Sequence, residues 1–94
     1  MGQAELYEEA VAAFGPALDR MARAYEADPD LRRDLTQDIH LALWRSFTGF
    51  DGRCSLRTWV YRVAHNTAAS HIRRGRPVVF VGLEELQAMP DPNP

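Results

Sequence analysis

The sequence predicts an all-α domain, a compact bundle of about four helices with an irregular C-terminal tail. Three observations predict it. Apolar residues recur three and four apart through most of residues 4–74, the spacing of one helix face. Gly, Pro, Asp and Ser stand between those stretches, where helices start and stop. No pair of alternating apolar segments flanks a hairpin turn. Ninety-four residues suit one domain, and 46% hydrophobic with 26% charged residues is the balance of a globular chain.

Residues 4–14 set Leu6, Ala10 and Phe14 four apart on one face. Gly15-Pro16 is expected to interrupt that helix and open a second, because proline suits a first helical turn. The second runs to about Ala27, with Leu18, Met21, Ala22 and Tyr25 facing inward. Asp28-Pro29-Asp30 is a turn, and Asp28 or Asp30 caps a third helix over about residues 30–48. Gly49 ends it, and residues 50–54 form a short loop. Ser55 is the N-cap of a fourth helix from Leu56 to about Arg74, stopped by Gly75 and Pro77. Residues 77–82 read as extended or irregular, 83–89 as one further helical turn, and 90–94 as the start of a linker. The domain is therefore expected over residues 1–76 and the tail over 77–94.

Turning 100° per residue from Leu31, Leu35, Ile39, Ala42, Leu43 and Phe47 fall within about 20° to 160°, the core stripe of the third helix. Asp34, Gln37, Asp38, Leu41, Trp44 and Arg45 fall on the other side. Two readings stay open for Leu41 and Trp44. Either they pack beneath the fourth helix, or they form a partner patch, an apolar anchor ringed by polar groups. On the fourth helix Leu56, Val60, Val63 and Thr67 face one way, while Thr58, Arg62, Asn66, Ala69 and Arg73 face another. Trp59 lies between the two faces, as a core residue or as a platform for a base. Asn66 is either an ordinary exposed amide or a donor-and-acceptor aimed at a base edge.

Charge is unevenly placed. Arg53 to Arg76 hold six arginines and no acid, whereas residues 1–52 carry ten acids against five arginines, and 77–94 three acids and no base. A basic segment interleaved with Trp59, Tyr61 and Asn66 suits nucleic acid. A solvated basic face beside an acidic neighbour gives the same count. All eleven basic residues are arginine, whose forked donors match phosphates and bases. The single cysteine, Cys54, cannot form an internal disulfide, which fits a reducing compartment. No apolar run approaches a membrane span and no signal peptide is legible, so the cytoplasm is the expected location. His65 and His71 are six apart and point in different directions, so no metal or other cofactor is expected. His40 beside Asp38 has no nucleophile elbow or phosphate loop with it, so no enzyme is expected.

Three pieces together carry a resemblance. They are the run Asp34 to Arg45 (DLTQDIHLALWR), the run Phe50 to Asn66 (FDGRCSLRTWVYRVAHN), and Ile72-Arg73-Arg74. Spaced as they are, they resemble region two of bacterial extracytoplasmic-function (ECF) sigma factors of the sigma-70 family, over about residues 5–76. The resemblance implies a transcription initiation domain. Its third helix would bind the clamp helices of the RNA polymerase β′ subunit through Asp34, Gln37, Asp38, Leu41 and Trp44. The loop and fourth helix would recognise and melt the promoter −10 element and capture a flipped base of the single non-template strand. Phe50, Asp51, Gly52, Arg53 and Ser55 would shape the base pocket. Arg57, Thr58, Trp59, Arg62 and Asn66 would form the reading face, and Arg73, Arg74 and Arg76 would lie near phosphates. An anti-sigma factor is a further expected partner, and a membrane is not. The tail would begin the connection to a region-four module that this sequence does not contain. His40, Cys54 and His65 depart from the family's usual residues. The expected arrangement is two opposite surfaces, one for polymerase and one for DNA. The alternative is a helical interaction module whose basic helix meets an acidic partner.

Overall fold

A computed structural model describes residues 2–75. Three helices account for them: α1 (Gln3–Tyr25), α2 (Pro29–Ser46) and α3 (Leu56–Gly75). Among the described residues there is no strand, in line with the all-α expectation. Arg76 and the tail from residue 77 lie outside the described residues, and with them the expected further turn at 83–89.

The count of helices differs from the expected four because α1 runs unbroken through Gly15-Pro16. Pro16 lacks an N–H and deprives the Ala12 carbonyl of its helical donor. Ala12 and Pro16 both lie on the exposed side, so the freed carbonyl belongs to the solvent-facing side of the helix and not to the core. The inner face is continuous across the break: Leu6, Ala10, Leu18, Met21 and Ala22 are all buried. Burial on both sides of Pro16 holds the helix together against a local preference of about 3 kcal/mol for breaking it.

The α1–α2 corner is fixed by two polar devices. Asp28 Oδ1 accepts from the backbone N–H of Asp30 at 2.9 Å and of Leu31 at 3.2 Å, and Pro29 occupies the first helical position. Arg32 donates from Nε to the Glu26 carbonyl (3.1 Å) and from Nη2 to the Ala27 carbonyl (2.9 Å), tying down the chain after α1. At the other corner Ser55 caps α3, its Oγ accepting from Thr58 N–H at 3.1 Å.

Each helix packs on both others. Trp59 meets Ser46 while Arg74 meets Asp38, so α3 runs antiparallel to α2. Tyr7 meets His40 while Gln3 reaches the Trp44 carbonyl, so α1 is antiparallel to α2 as well. Leu18, Leu35, Ile39, Leu43 and Val60 fill the centre. Each is worth roughly 1.5–3 kcal/mol when fully buried. Among the described residues no polar or charged side chain is buried, so the polar chemistry remains on the surface.

Candidate functional site

The buried stripe of α2 is Leu35, Ile39 and Leu43, continued by Phe47. Helical spacing then turns Asp34, Gln37, Leu41 and Trp44 outward. Leu41 is 46% and Trp44 38% exposed, so neither packs beneath α3. Trp44 is nonetheless braced. Its ring meets Tyr7 edge-on at 5.7 Å, and its carbonyl accepts from Gln3 Nε2 at 2.7 Å. Leu31, 44% exposed, stands apart near the start of α2, with Asp34, Gln37 and Asp38 between it and Leu41. Asp38 is half-buried, and its Oδ2 accepts from Arg74 Nη2 at 3.1 Å.

On α3 the buried residues are Val60, Val63, Ala64 and Ala68. The expected stripe had Leu56 and Thr67 in place of the alanines, and both of those are only half-buried. Alanine is small enough for neighbouring helices to approach closely, so α3 presents Ala64 and Ala68 to the core. Thr67 turns its hydroxyl to the Val63 carbonyl at 2.8 Å. Arg62, Asn66, Arg73 and Arg74 are exposed, and Ala69 is half-buried. Arg73 Nη2 donates to Ser70 Oγ at 2.9 Å. Arg57 is exposed with its guanidinium 5.5 Å from the Tyr61 ring centre, a cation–π distance. Thr58 is half-buried, its hydroxyl accepting from Ser55 at 3.0 Å.

The loop between α2 and α3 is built on aromatics. Phe50 packs edge-on against Phe47 (6.2 Å) and Trp59 (5.2 Å). Trp59 Nε1 donates to Ser46 Oγ at 2.9 Å. Half-buried and hydrogen-bonded inward, Trp59 supports Phe50 and the loop. Gly52 has φ +79°, a conformation that favours glycine. Asp51 folds the turn, accepting from Arg53 N–H at 3.1 Å and pairing with Arg53 Nε at 3.0 Å. The Arg53 side chain is 89% exposed, so that pair is screened and adds little stability. Cys54 is half-buried.

The DNA-reading candidates therefore do not converge on one point. Ser55 and Arg73 stand about 27 Å apart along the helix axis at 1.5 Å per residue. They form a strip, with the loop at one end and Arg73 and Arg74 at the other.

The expectation of two opposite surfaces needs correcting, because the surfaces adjoin. Along the α2–α3 crossing a groove of 250 Å³ has Asp38, Leu41 and Arg45 on one wall and Asn66, Ser70 and Arg74 on the other. A second groove, of 550 Å³, lies toward the α1–α2 corner and is lined by Asp34, Gln37, Asp38, His71 and Arg74 among others. Asp38 and Arg74 belong to both.

The histidines have partners that spacing did not reveal. The Tyr7 hydroxyl hydrogen-bonds His40 Nδ1 at 2.8 Å, and the Tyr25 hydroxyl hydrogen-bonds His65 Nδ1 at 3.0 Å. His71, its side chain 11% exposed, stands between Glu26 (3.6 Å) and Asp38 (3.9 Å). Each thus links its helix to α1 or to the chain just after it. The carboxylates reach opposite nitrogens of the His71 ring, so they do not converge on a common point.

Comparison with known proteins finds similarity to one family model and to curated relatives. A family model described as Sigma-70 region 2 matches residues 10–77. The ECF RNA polymerase sigma factor SigG of Mycobacterium tuberculosis, in two strains, is 45% identical over 47 residues, 48% of this chain and 13% of that protein. The RNA polymerase sigma factor YlaC of Bacillus subtilis is 30% identical over 57 residues, 61% of this chain and 33% of that protein. The matches thus span a third or less of each relative's length. No solved structure matches significantly.

Proposed function

The chain belongs to the sigma-70 region 2 family, and on that footing we propose that it is the promoter-opening domain of an ECF-type RNA polymerase sigma factor. It performs no covalent chemistry. The outer face of α2 grips the clamp helices of the polymerase β′ subunit. The loop and α3 hold the non-template strand of the −10 element once it has left the duplex. The observation that carries this reading is the exposure of Leu41 (46%) and Trp44 (38%) on the side of α2 that carries Asp34 and Gln37, with Leu41 sharing a groove with exposed Asn66 and exposed Arg62 one turn before Asn66 on α3. Apolar anchors ringed by acids suit a partner helix with basic residues. An amide among arginines suits a single strand.

The energetics fit a division of labour. Unstacking a base costs a few kcal/mol, and stacking with hydrogen bonds returns about 1–3 kcal/mol per base. The domain alone therefore binds an already single strand weakly and duplex hardly at all, and polymerase supplies the remaining contacts. An anti-sigma protein would act by covering the same α2 patch.

The test is a titration of −10-like single strands into the chain, with and without a β′ clamp-helix fragment, repeated for Asp34→Arg. Asp34 is exposed, whereas Asp38 holds Arg74, so reversing Asp34 changes the partner face with least disturbance within the domain. Asp34→Arg is expected to abolish clamp binding with an unchanged circular-dichroism spectrum. Retained clamp binding, or failure of the wild-type chain to prefer −10-like over scrambled strands, refutes the proposal.

A further inference from the structure

Trp44 is an exposed anchor of α2, yet α1 grips it at two points. Where α2 ends, the chain turns back to serve most of its last carbonyls. Phe47 N–H donates to the Leu43 carbonyl, Thr48 N–H to Arg45 and Gly49 N–H to Ser46. Among the described residues the Trp44 carbonyl receives no such backbone donor, and Gln3 Nε2 supplies one from α1 at 2.7 Å. One turn further along α1, Tyr7 sets its ring edge-on to the indole, with 5.7 Å between centroids and 88° between planes. The Tyr7 hydroxyl in turn hydrogen-bonds His40 Nδ1 at 2.8 Å, and His40 stands one turn before Trp44 on α2. Two successive turns of α1 are thus fastened to two successive turns of α2, around a side chain that is still 38% exposed.

An unheld indole on a helix surface samples several rotamers and loses that freedom when a partner covers it. Here the hydroxyl bond to His40 fixes the tilt of the Tyr7 ring, and the Tyr7 edge occupies one side of the indole. The Gln3 bond holds the backbone from which the indole projects. Resting on the assignment of the outer face of α2 to the polymerase clamp, we infer that Tyr7, held by His40, is a positioning residue for Trp44. It keeps the indole in the orientation that the partner helix covers, and its effect on affinity passes through Trp44. The partner-binding face of α2 is therefore set in part from the first two turns of α1.

The experiment is a double-mutant cycle on the affinity of the full chain for the β′ clamp-helix fragment. Tyr7→Ala is expected to weaken binding about two- to tenfold, the effect of one side chain that must be immobilised on binding. Tyr7→Phe keeps the ring, loses only the hydroxyl, and is expected to show part of that loss. In a Trp44→Ala background neither substitution is expected to change affinity further. A merely structural role for Tyr7 would weaken binding in both backgrounds, so equal losses overturn the inference. Full affinity for Tyr7→Ala beside intact Trp44 also overturns it, and loss for Tyr7→Ala with none for Tyr7→Phe removes His40 from the device. A second readout follows the indole itself. The chain has two tryptophans, so Trp59→Phe leaves Trp44 as the single fluorophore. There Tyr7→Ala is expected to add a nanosecond loss of anisotropy that is absent when Tyr7 is present, and an unchanged decay counts against positioning. Should Tyr7→Ala be unfolded by circular dichroism, Tyr7→Phe carries both measurements. If the wild-type chain does not bind the fragment, or Trp44→Ala binds it as well as wild type does, the clamp assignment of Trp44 fails and the inference falls with it. A loss for Trp44→Ala with none for either Tyr7 variant sinks the inference alone.

Discussion

Asn66 and Arg73 lie on the same exposed side of α3 but differ in what they can distinguish. The Asn66 amide offers a donor and an acceptor in fixed geometry, which is how a base edge is told from another. Arg73 offers charge, and phosphates carry no sequence. Asn66→Ala is expected to reduce the preference for a −10-like strand over a scrambled one, by a factor corresponding to about 1–3 kcal/mol at a single base position. Arg73→Ala is expected to weaken both strands alike and flatten the salt dependence. Competition titrations with strands varied one base at a time check both, and equal losses for Asn66→Ala on every strand would remove it from the reading face. Trp59 shows why residue type alone does not assign a role. Its indole N–H is already committed to Ser46 Oγ at 2.9 Å, so what it offers a strand is a partly exposed ring and a firmly held loop.

At the scale of the element, α1 is the instructive case. Locally, Gly15-Pro16 is a stop followed by a start, yet the helix continues because its buried stripe does. In a continuous helix Pro16 is an interior proline, unfavourable by about 3 kcal/mol relative to alanine. Pro16→Ala is therefore expected to stabilise the domain by about 1–3 kcal/mol, raising the midpoint of urea unfolding. Were Pro16 instead the first residue of a separate helix, the substitution would be neutral or slightly destabilising. The corners behave as local chemistry dictates. Asp28 and Ser55 each cap the helix that follows, and both caps are short-range contacts within three residues in sequence.

At the scale of the whole molecule, one dry core made by three mutually packed helices gives a single cooperative unit. Leu43, fully buried on the central stripe of α2, tests this. Leu43→Ala is expected to cost about 3 kcal/mol, a large part of the stability of a domain this size. Hydrogen exchange should quicken in α1 and α3 together with α2. Loss confined to α2 would mean that the helices are stable independently. The interhelical ties of His40, His65 and His71 join this unit at its surface. Because no charged side chain is buried among the described residues, their acids and arginines divide over the outside, and the fold brings both kinds to one groove.

What the sequence by itself determined is local and periodic: the all-α class, the large core residues Leu35, Ile39, Leu43 and Phe47, the cap Ser55, a cap at Asp28 or Asp30 that the structure gives to Asp28, and the exposure of Arg62, Asn66, Asp34 and Gln37. Three-residue caps and 100° turns need no knowledge of the rest of the chain. The family could also be read there, from three spaced motifs. Only the tertiary structure decided that Pro16 sits inside a helix, that Ala64 and Ala68 rather than Leu56 and Thr67 fill the core, and which partner each histidine holds. It also decided that the candidate protein and nucleic-acid faces adjoin instead of opposing each other. A helical wheel gives the direction of a side chain relative to its own axis. How two axes pack, and therefore which of their outward faces share a groove, depends on side-chain volumes from all three helices at once.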